Sequence, residues 1–269
     1  MITNTLANTK AATFSVELPH QARQGMPTPT GTGFFISPDG WFITAAHVIT
    51  EDNNRDGKVR SDLDQTWLMK ETRGRGVPPG AMCQAVSFGH IIASLDFALL
   101  KVDFQANANK AWLVGKNQFP YLEVSTRQLD EGESVYSFGY PLSESFVQSL
   151  GPVTVGSTSL RPRVTSAIIS STIYETKMVM TDADPQVYVL DKALNYGNSG
   201  GPIVSSETGR VHAICSEFQP VFVPQSHINE QNGTPISVMI PSLYGVVSSL
   251  RNPEILDLLR SLNVPICDD

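Results

Sequence analysis

The stretch "GTGFFISPDGWFITAAHVI", Gly31 to Ile49, shows the pattern that most of the chain follows. Two short runs rich in Phe, Ile and Thr stand on either side of Ser-Pro-Asp-Gly, and each is too short for a typical helix. Similar short runs, bounded by Gly, Pro, Asp and Asn, recur from about Phe14 onward and include "DFALLKV", "SVYSFGYP", "QVYVLD", "GPIVSS" and "RVHAICSEF". This pattern predicts an all-β fold of the sandwich or barrel type.

Two segments depart from this rhythm. The segment "NPEILDLLRSL", Asn252 to Leu262, has apolar residues at helical spacing after an Asn cap and a first-turn Pro, which predicts a C-terminal helix. Residues 51–93 are rich in charged residues, Gly and Pro, which predicts a long surface insertion. Both a regulatory or docking element and a tolerated surface loop remain open for this insertion.

Composition limits the classes of function. With 269 residues, 41% of them hydrophobic, the chain can bury a sizeable core as one large or two small units. The net charge of -7 argues against a nucleic-acid partner. Three widely separated cysteines, Cys83, Cys215 and Cys267, fit neither a disulfide framework nor a zinc pattern, so we expect free thiols in a reducing compartment.

The N-terminal residues lack the apolar core of a secretory signal, and no run of about eighteen apolar residues could span a bilayer. If the chain begins at its natural start, these features predict a cytoplasmic protein without a membrane partner. His20, His90, His212 and His227 form no close ligand pattern with cysteines or acids, so neither a metal nor another cofactor is expected.

Three local contexts carry the elements of nucleophilic catalysis, which needs a hydroxyl, a base and a carboxylate that orients the base. His47 follows an apolar run and two alanines in "WFITAAHVI", and Asp96 lies among apolar residues in "ASLDFALLKV". Ser199 lies among glycines in "LNYGNSGGP". Taken alone, each context has a simpler explanation: a structural histidine, a turn-capping aspartate, or a glycine-rich hairpin with an incidental serine.

The chemistry of the three residues is nevertheless complementary. Histidine suits proton transfer near neutral pH, and a carboxylate among apolar neighbours needs a partner that an imidazole N–H would supply. The glycines around Ser199 allow a tight turn in which the backbone N–H groups of Gly197 and Ser199 converge on one oxygen. We therefore predict a triad of His47, Asp96 and Ser199, with an oxyanion hole at Gly197, Asn198 and Ser199.

These stretches resemble the chymotrypsin-fold serine proteases, and most closely the HtrA/Deg-type branch. The resemblance includes the order His, Asp, Ser and runs from about Gly31 to about Ser242. It implies two packed six-stranded antiparallel β-barrels, with the triad in the cleft between them and a C-terminal helix. It also implies a serine endopeptidase acting on protein or peptide substrates.

The same resemblance implies an N-terminal segment at 1–30, a protease domain at 31–242, and a C-terminal helix and tail at 243–269. HtrA-type proteases usually carry a PDZ domain, but only about 27 residues follow Ser242, so none is expected. Members of this branch form trimers through their N-terminal segments, which makes a homo-oligomer possible here.

Two departures from the wider superfamily sharpen the prediction. Asn198 stands where digestive relatives have an Asp that pairs with a new N-terminus, so we expect substrate or an activating protein partner to order the oxyanion loop. Ala193, Leu194, Ile214 and Cys215 are the expected substrate-binding residues, and they favour small or medium apolar side chains before the scissile bond. Glu217 is the acid that could alter this preference.

Two other functions remain open on the sequence. The chain could be a latent protease-fold module that acts as a binding or chaperone-like partner. It could also be the protease component of a partner-activated stress or defence complex.

Overall fold

The computed structural model describes residues 2–20, 26–54, 56–70, 81–83, 86–106, 109, 116–150, 153–173, 187–228 and 235–268. Elements in the first part of the chain are helix α1 (Ile2–Ala12), strands β1 (Thr13–His20), β2 (Met26–Phe35) and β3 (Trp41–Ala45), helix α2 (Ala46–Ile49), and strands β4 (Trp67–Lys70), β5 (Ala81–Cys83), β6 (Val86–Ile92) and β7 (Phe97–Val102). Short 3-10 helices lie at Glu51–Asn53, Leu63–Gln65 and Ala93–Leu95.

Strands dominate the second part of the chain as well. They are β8 (Val124–Ser125), β9 (Ser134–Gly139), β10 (Glu144–Leu150), β11 (Val153–Ser159), β12 (Arg163–Ile173), β13 (Val187–Leu190), β14 (Pro202–Ser205), β15 (Val211–Ile228), β16 (Pro235–Ser249) and β17 (Ile266–Cys267), with helix α3 (Pro253–Ser261) before β17.

The first unit is a seven-stranded antiparallel sheet in the order β5-β4-β1-β2-β3-β7-β6. Residues 31–49 contain the end of β2 and all of β3. These strands pair across the Ser-Pro-Asp-Gly turn, with Phe34 opposite Ile43. One face of the sheet encloses a cluster in which Phe35 contacts three other aromatic rings, those of Phe14, Phe42 and Phe119. Such rings bury large apolar areas, which accounts for the closed packing of this unit.

The second unit is a closed six-stranded antiparallel barrel. Its order is β14-β9-β12-β13-β16-β15, and β15 pairs back to β14 to close the ring. Strands β8 and β17 extend the sheet with parallel pairs, while β10 and β11 form a separate hairpin. The barrel interior contains buried side chains from alternate strand positions, as closure requires: Val135, Ile169, Tyr188, Leu190, Ile203, Ala213 and Val247.

A third cluster joins the two units and the C-terminal helix. It combines Phe34 and Leu99 from the first unit with Val204 and Ile214 from the second. Helix α3 adds Ile255 and Leu259, both fully buried. The side chain of Asn252 caps this helix by accepting the Glu254 N–H at 2.9 Å.

The predicted all-β fold with a C-terminal helix is confirmed. Two of the expected boundaries fall inside strands, since residue 30 lies within β2 and residue 242 within β16. Leu6 and Ala12 of helix α1 pack in the cluster between the two units, and strand β1 belongs to the first unit rather than to a separate segment. The reason is that Phe14, Val16 and Leu18 alternate into the core of the sheet.

The interpretation of residues 51–93 as a surface insertion is wrong in part. Strand β4 pairs with β1, and β6 pairs with β7, so much of this segment belongs to the first sheet. Leu68 and Val86 are buried, but charged residues, Gly and Pro dominate the rest of the segment, so its short apolar runs did not predict strands. Residues 71–80 and 84–85 of this segment lie outside the described part of the chain.

No helix in the described ranges is long and apolar enough to cross a membrane. Cys215 is buried and Cys267 is partly exposed, and within the described residues neither forms a disulfide. The side chain of Cys83 lies outside the described residues. A cytoplasmic location stays a prediction.

Candidate active site

Strand pairing brings His47 and Asp96 together. His47 lies in α2 directly after β3, and Asp96 lies directly before β7, the antiparallel partner of β3. The His47 ring nitrogen Nδ1 lies 2.8 Å from Oδ2 of Asp96, and the His47 backbone N–H donates to Oδ1 at 3.0 Å. These two contacts fix the ring plane and leave Nε2 as the ring nitrogen available for proton transfer.

The backbone of Asp96 has an unusual conformation. Its φ of 51° and ψ of 34° place it in the left-handed region, at the end of the 3-10 helix Ala93–Leu95. This conformation is uncommon for residues other than glycine, although Asp tolerates it better than most. The Ala46 N–H donates to the Asp96 carbonyl at 2.9 Å, which ties the turn to α2 and aims the carboxylate at His47.

The carboxylate of Asp96 is buried and remains ionised. Only 1% of its side chain is exposed, and burial by itself raises the pKa of a carboxyl group. The hydrogen bond and charge of His47, together with a hydrogen bond from Ser216, outweigh burial and hold the pKa of Asp96 below its ordinary value. A charged Asp96 can therefore stabilise a protonated His47 during a reaction.

Ser216 is a site residue that the sequence reasoning missed. Its hydroxyl donates to Oδ2 of Asp96 at 2.6 Å from strand β15 of the second barrel. Because His47 and Asp96 both belong to the first unit, this contact connects the pair to the other side of the cleft. The only local signal was a serine in the apolar run "RVHAICSEF", which does not distinguish it from other strand serines.

Ser199 follows a turn that requires glycine. The Asn198 N–H donates to the Asn195 carbonyl at 3.0 Å, and Gly197, the third residue of this turn, has a φ of +93°. These features are typical of a type II turn. A Cβ atom on Gly197 would also lie 2.7 Å from the Tyr140 carbonyl oxygen, so a larger residue would be strained in two ways.

Three successive carbonyl groups in this turn are held by hydrogen bonds. The Tyr196 carbonyl accepts the Leu142 N–H at 3.1 Å, and the Gly197 carbonyl accepts the Thr32 hydroxyl at 2.6 Å. The Asn198 carbonyl accepts the Gly201 N–H at 2.7 Å. The orientation of each peptide plane in the turn is therefore determined by a specific contact.

Fixed carbonyls also fix the amide groups, because C=O and N–H point in opposite directions across a trans peptide. Within the described residues, the N–H groups of Gly197 and Ser199 have no hydrogen-bond partner. The Asn198 N–H is used inside the turn, so it is not available as a donor to a ligand, and the Asn198 side chain is buried. An oxyanion hole needs two such donors near a serine hydroxyl.

A cavity of about 610 Å³ contains all of these groups. His47, Asp96, Gly197 and Ser199 line it, so the predicted triad and both amide donors share one cleft. In the described part of the chain no hydrogen bond joins Ser199 to His47. Catalytic hydrogen bonds of this type often form only when substrate is bound.

The four expected substrate-binding residues do not all reach the cleft. Leu194 and Cys215 line the cavity, but Ala193 and Ile214 are not among its described lining residues. Ile214 is fully buried in the cluster between the two units, because successive residues of β15 face opposite sides of the strand. Burial and the nearby charge of Asp96 raise the pKa of the Cys215 thiol, so Cys215 forms a neutral wall.

The rim of the cavity contains further residues that were not predicted. Tyr196 and Leu142 line it with 73% and 56% of their surfaces exposed. Glu217, the acid noted in the sequence, is also exposed and lines the cavity. Leu142 has a φ of 56°, which no sequence signal at a leucine would have suggested.

Among the described residues, no group of three or more His, Cys, Asp or Glu side chains could hold a metal ion. His212 is buried, with Nδ1 at 3.0 Å from the Arg127 carbonyl, and His90 is exposed on β6. The side chains of His20 and His227 lie outside the described residues.

Comparison with known proteins finds serine proteases that are similar in sequence. The chain is 26% identical over 263 residues to serine protease HTR4 from Bos taurus. The aligned region covers 90% of this chain and 45% of that protein. The chain is also 28% identical over 226 residues to serine protease HTRA4 from Homo sapiens. This aligned region covers 79% of the chain and 38% of that protein. The chain therefore spans less than half the length of these relatives.

A solved structure shares the fold. The HtrA-type protease AlgW with tripeptide matches with a TM-score of 0.53 and 18% sequence identity, over 97% of this chain and 63% of that one. The relatives in sequence confirm the predicted resemblance to HtrA-type proteases, and this structure shows the same fold. Residues 31–214 match the family model of the trypsin-like peptidase domain, which is more than half of the chain. This chain belongs to the trypsin-like peptidase domain family.

Proposed function

We propose that this protein is a serine endopeptidase whose nucleophile is Ser199. The observation that carries the proposal is the pair of unpaired amide donors, at Gly197 and Ser199, in the same cavity as the hydrogen-bonded His47 and Asp96. Among the described residues these two donors have no acceptor, and an unsatisfied amide is costly unless solvent or a ligand pairs with it.

The proposed reaction follows from the positions of these groups. The hydroxyl oxygen of Ser199 attacks the peptide carbonyl while Nε2 of His47 takes the hydroxyl proton. The carbonyl oxygen becomes an oxyanion and accepts the N–H groups of Gly197 and Ser199. The oxyanion then collapses, the C–N bond breaks, and His47 gives its proton to the leaving amine. Water next attacks the acyl carbonyl while His47 takes a proton from it. Collapse of this second oxyanion breaks the bond to the Ser199 oxygen, which takes the proton back from His47.

We further propose a preference for small or medium apolar side chains before the scissile bond. Leu194 and the neutral thiol of Cys215 supply apolar walls, and a buried cation there would be costly without a partner. The carboxylate of Glu217 is exposed, where water screens its charge. Profiling of a peptide library should yield cleavage after residues such as Val, Ala, Leu or Ile, whereas cleavage mainly after Lys or Arg would assign the specificity to Glu217.

We also propose that regulation acts on the conformation of the oxyanion turn. Asn198 cannot form the ion pair that a new N-terminal amine makes with Asp in digestive relatives. Substrate, a second copy of the chain or an activating protein would then order the turn, as in a partner-activated stress or defence complex. A latent binding or chaperone-like module is not favoured, because such a module needs neither the His47–Asp96 pair nor the free amides.

Covalent labelling tests the proposal directly. A fluorophosphonate should label the wild-type protein, and the Ser199→Ala variant should not be labelled. The same variant should lose about six orders of magnitude in turnover if the triad acts as a unit. Cleavage-site profiling of a whole proteome extract, wild type against Ser199→Ala, would then define the substrates. Labelling that survives Ser199→Ala would refute the assignment of the nucleophile.

A further inference from the structure

The hydroxyl of Thr32 lies at the boundary between the two units and contacts the oxyanion turn. Thr32 belongs to β2 of the first unit and is fully buried. Its hydroxyl donates to the Gly197 carbonyl at 2.6 Å and accepts the Tyr140 N–H at 3.1 Å. Its backbone N–H also donates to the Ser199 carbonyl at 2.8 Å. One residue of the first unit thus makes three hydrogen bonds to the second.

The carbonyl that Thr32 binds is adjacent to both proposed oxyanion donors. The Gly197 N–H belongs to the peptide group before the one that contains the Gly197 carbonyl, and the Ser199 N–H belongs to the peptide group after it. A rotation of this carbonyl changes ψ of Gly197 and φ of the following residue, which moves both donors relative to each other. Gly197 has few intrinsic restraints on these angles, because it lacks a Cβ atom. An external contact is therefore needed to hold the carbonyl.

The polar character of Thr32 is not required for packing. A valine has nearly the same shape and would fill the same space, and a buried hydroxyl is costly unless it is hydrogen-bonded. Here the hydroxyl is fully used, with one donated and one accepted hydrogen bond. Replacing it by a methyl group would leave the Gly197 carbonyl and the Tyr140 N–H without this partner.

We propose that Thr32 is a positioning residue for catalysis, and that its hydroxyl holds the oxyanion turn of the second barrel in register with the first unit, where His47 and Asp96 lie. The inference rests on the proposed function of Ser199 and its turn. The hydroxyl oxygen of Thr32 binds both the Tyr140 N–H and the Gly197 carbonyl. The position of the oxyanion turn therefore depends on a residue of the first unit. Movement of the Tyr140 segment is thereby transmitted to the Gly197 carbonyl.

The test compares substitutions at Thr32 with the same substitutions at Thr13. Thr13 is a suitable control because it is also fully buried in the first unit, and its hydroxyl donates to a backbone carbonyl, that of Thr9, at 2.7 Å. Kinetics would use a peptide taken from the preferred cleavage site, and folding would be checked by circular dichroism and thermal melting. Thr32→Val and Thr13→Val make the same chemical change, while Thr32→Ser keeps the hydroxyl.

We expect Thr32→Val to lower kcat about 10- to 100-fold with KM nearly unchanged, because the donors act mainly on the transition state. Thr32→Ser should retain kcat within about threefold, and Thr13→Val should retain it within about twofold. A peptide boronate, which forms a tetrahedral adduct with the serine, should lose affinity for Thr32→Val by a similar factor. Affinity for the uncleaved peptide, measured in a Ser199→Ala background, should not change.

Several results would overturn this role. One is a Thr32→Val enzyme as active as Thr13→Val, and another is an equal loss in boronate and peptide affinity. Should Thr32→Val fail to fold while Thr13→Val folds, the hydroxyl supports the fold rather than the turn, and the proposal is wrong. Absence of fluorophosphonate labelling in the wild type would instead contradict the proposed function itself, so the two failures are distinguishable.

Discussion

Glu17 places a carboxyl group in the interior of the first sheet, and this should make the stability of the protein depend on pH. Its side chain is fully buried in β1, between β2 and β4. The Ser15 hydroxyl donates to Oε1 at 3.2 Å, while Oε2 has no hydrogen-bond partner among the described residues. Burial raises the pKa of Glu17 from 4.5 to about 7, and the bond from Ser15 offsets only part of this rise.

The direction of the effect follows from proton binding. Between pH 4.5 and about 7, the folded protein keeps the proton on Glu17 while the unfolded chain releases it. Stability is therefore highest below pH 4.5 with respect to this group, falls as pH rises toward 7, and then levels off. A rise in pKa of this size lowers the free energy of unfolding by about 3 kcal/mol between pH 4.5 and about 7.

Urea unfolding at several pH values from 4.5 to 8 would measure this loss in the wild type and in Glu17→Gln. Glutamine has the same shape without the charge, so the variant should gain on the wild type as pH rises, by about 3 kcal/mol at pH 8. Subtracting the two curves removes the contribution of other titrating groups. Glu51→Gln, at an exposed position, should follow the wild type. A constant difference between wild type and Glu17→Gln at every pH would refute the reasoning.

Two further predictions concern the active site. Ser216→Ala should lower the unfolding free energy by about 2 kcal/mol and reduce kcat, because it removes a hydrogen bond to the buried charge of Asp96. Chemical denaturation would measure the first effect and steady-state kinetics the second. An unchanged kcat would show that Ser216 has no role in catalysis. Gly197→Ala should reduce kcat about 100-fold or more, because its φ of +93° and the contact with the Tyr140 carbonyl would displace one oxyanion donor. Slower fluorophosphonate labelling of a folded Gly197→Ala protein would support this effect, and wild-type labelling rates would contradict it.

The alternation and brevity of the apolar runs determined the all-β fold, and the contexts of His47, Asp96 and Ser199 determined the predicted triad. These features are local, since a strand pattern needs only a few residues and each catalytic context lies within about ten residues of chain. Helix α1 and the place of strand β1 in the first sheet were not predicted, because polar residues such as Thr9 and Glu17 are buried among apolar neighbours. Local patterning cannot reveal a polar residue that tertiary contacts bury.

Only the tertiary structure decided which groups complete the site. The contacts of Ser216 with Asp96 and of Thr32 with Gly197 join residues 120 and 165 positions apart in the chain. No spacing rule predicts such pairs, because they depend on how the two units pack. The same packing placed Ile214 in the core and Cys215 in the cleft, and it fixed the carbonyl directions that leave two amides free. The sequence by itself thus determined the chemical groups of the proposed protease, and the packing of the two units decided their orientation, because orientation depends on hydrogen bonds between distant segments.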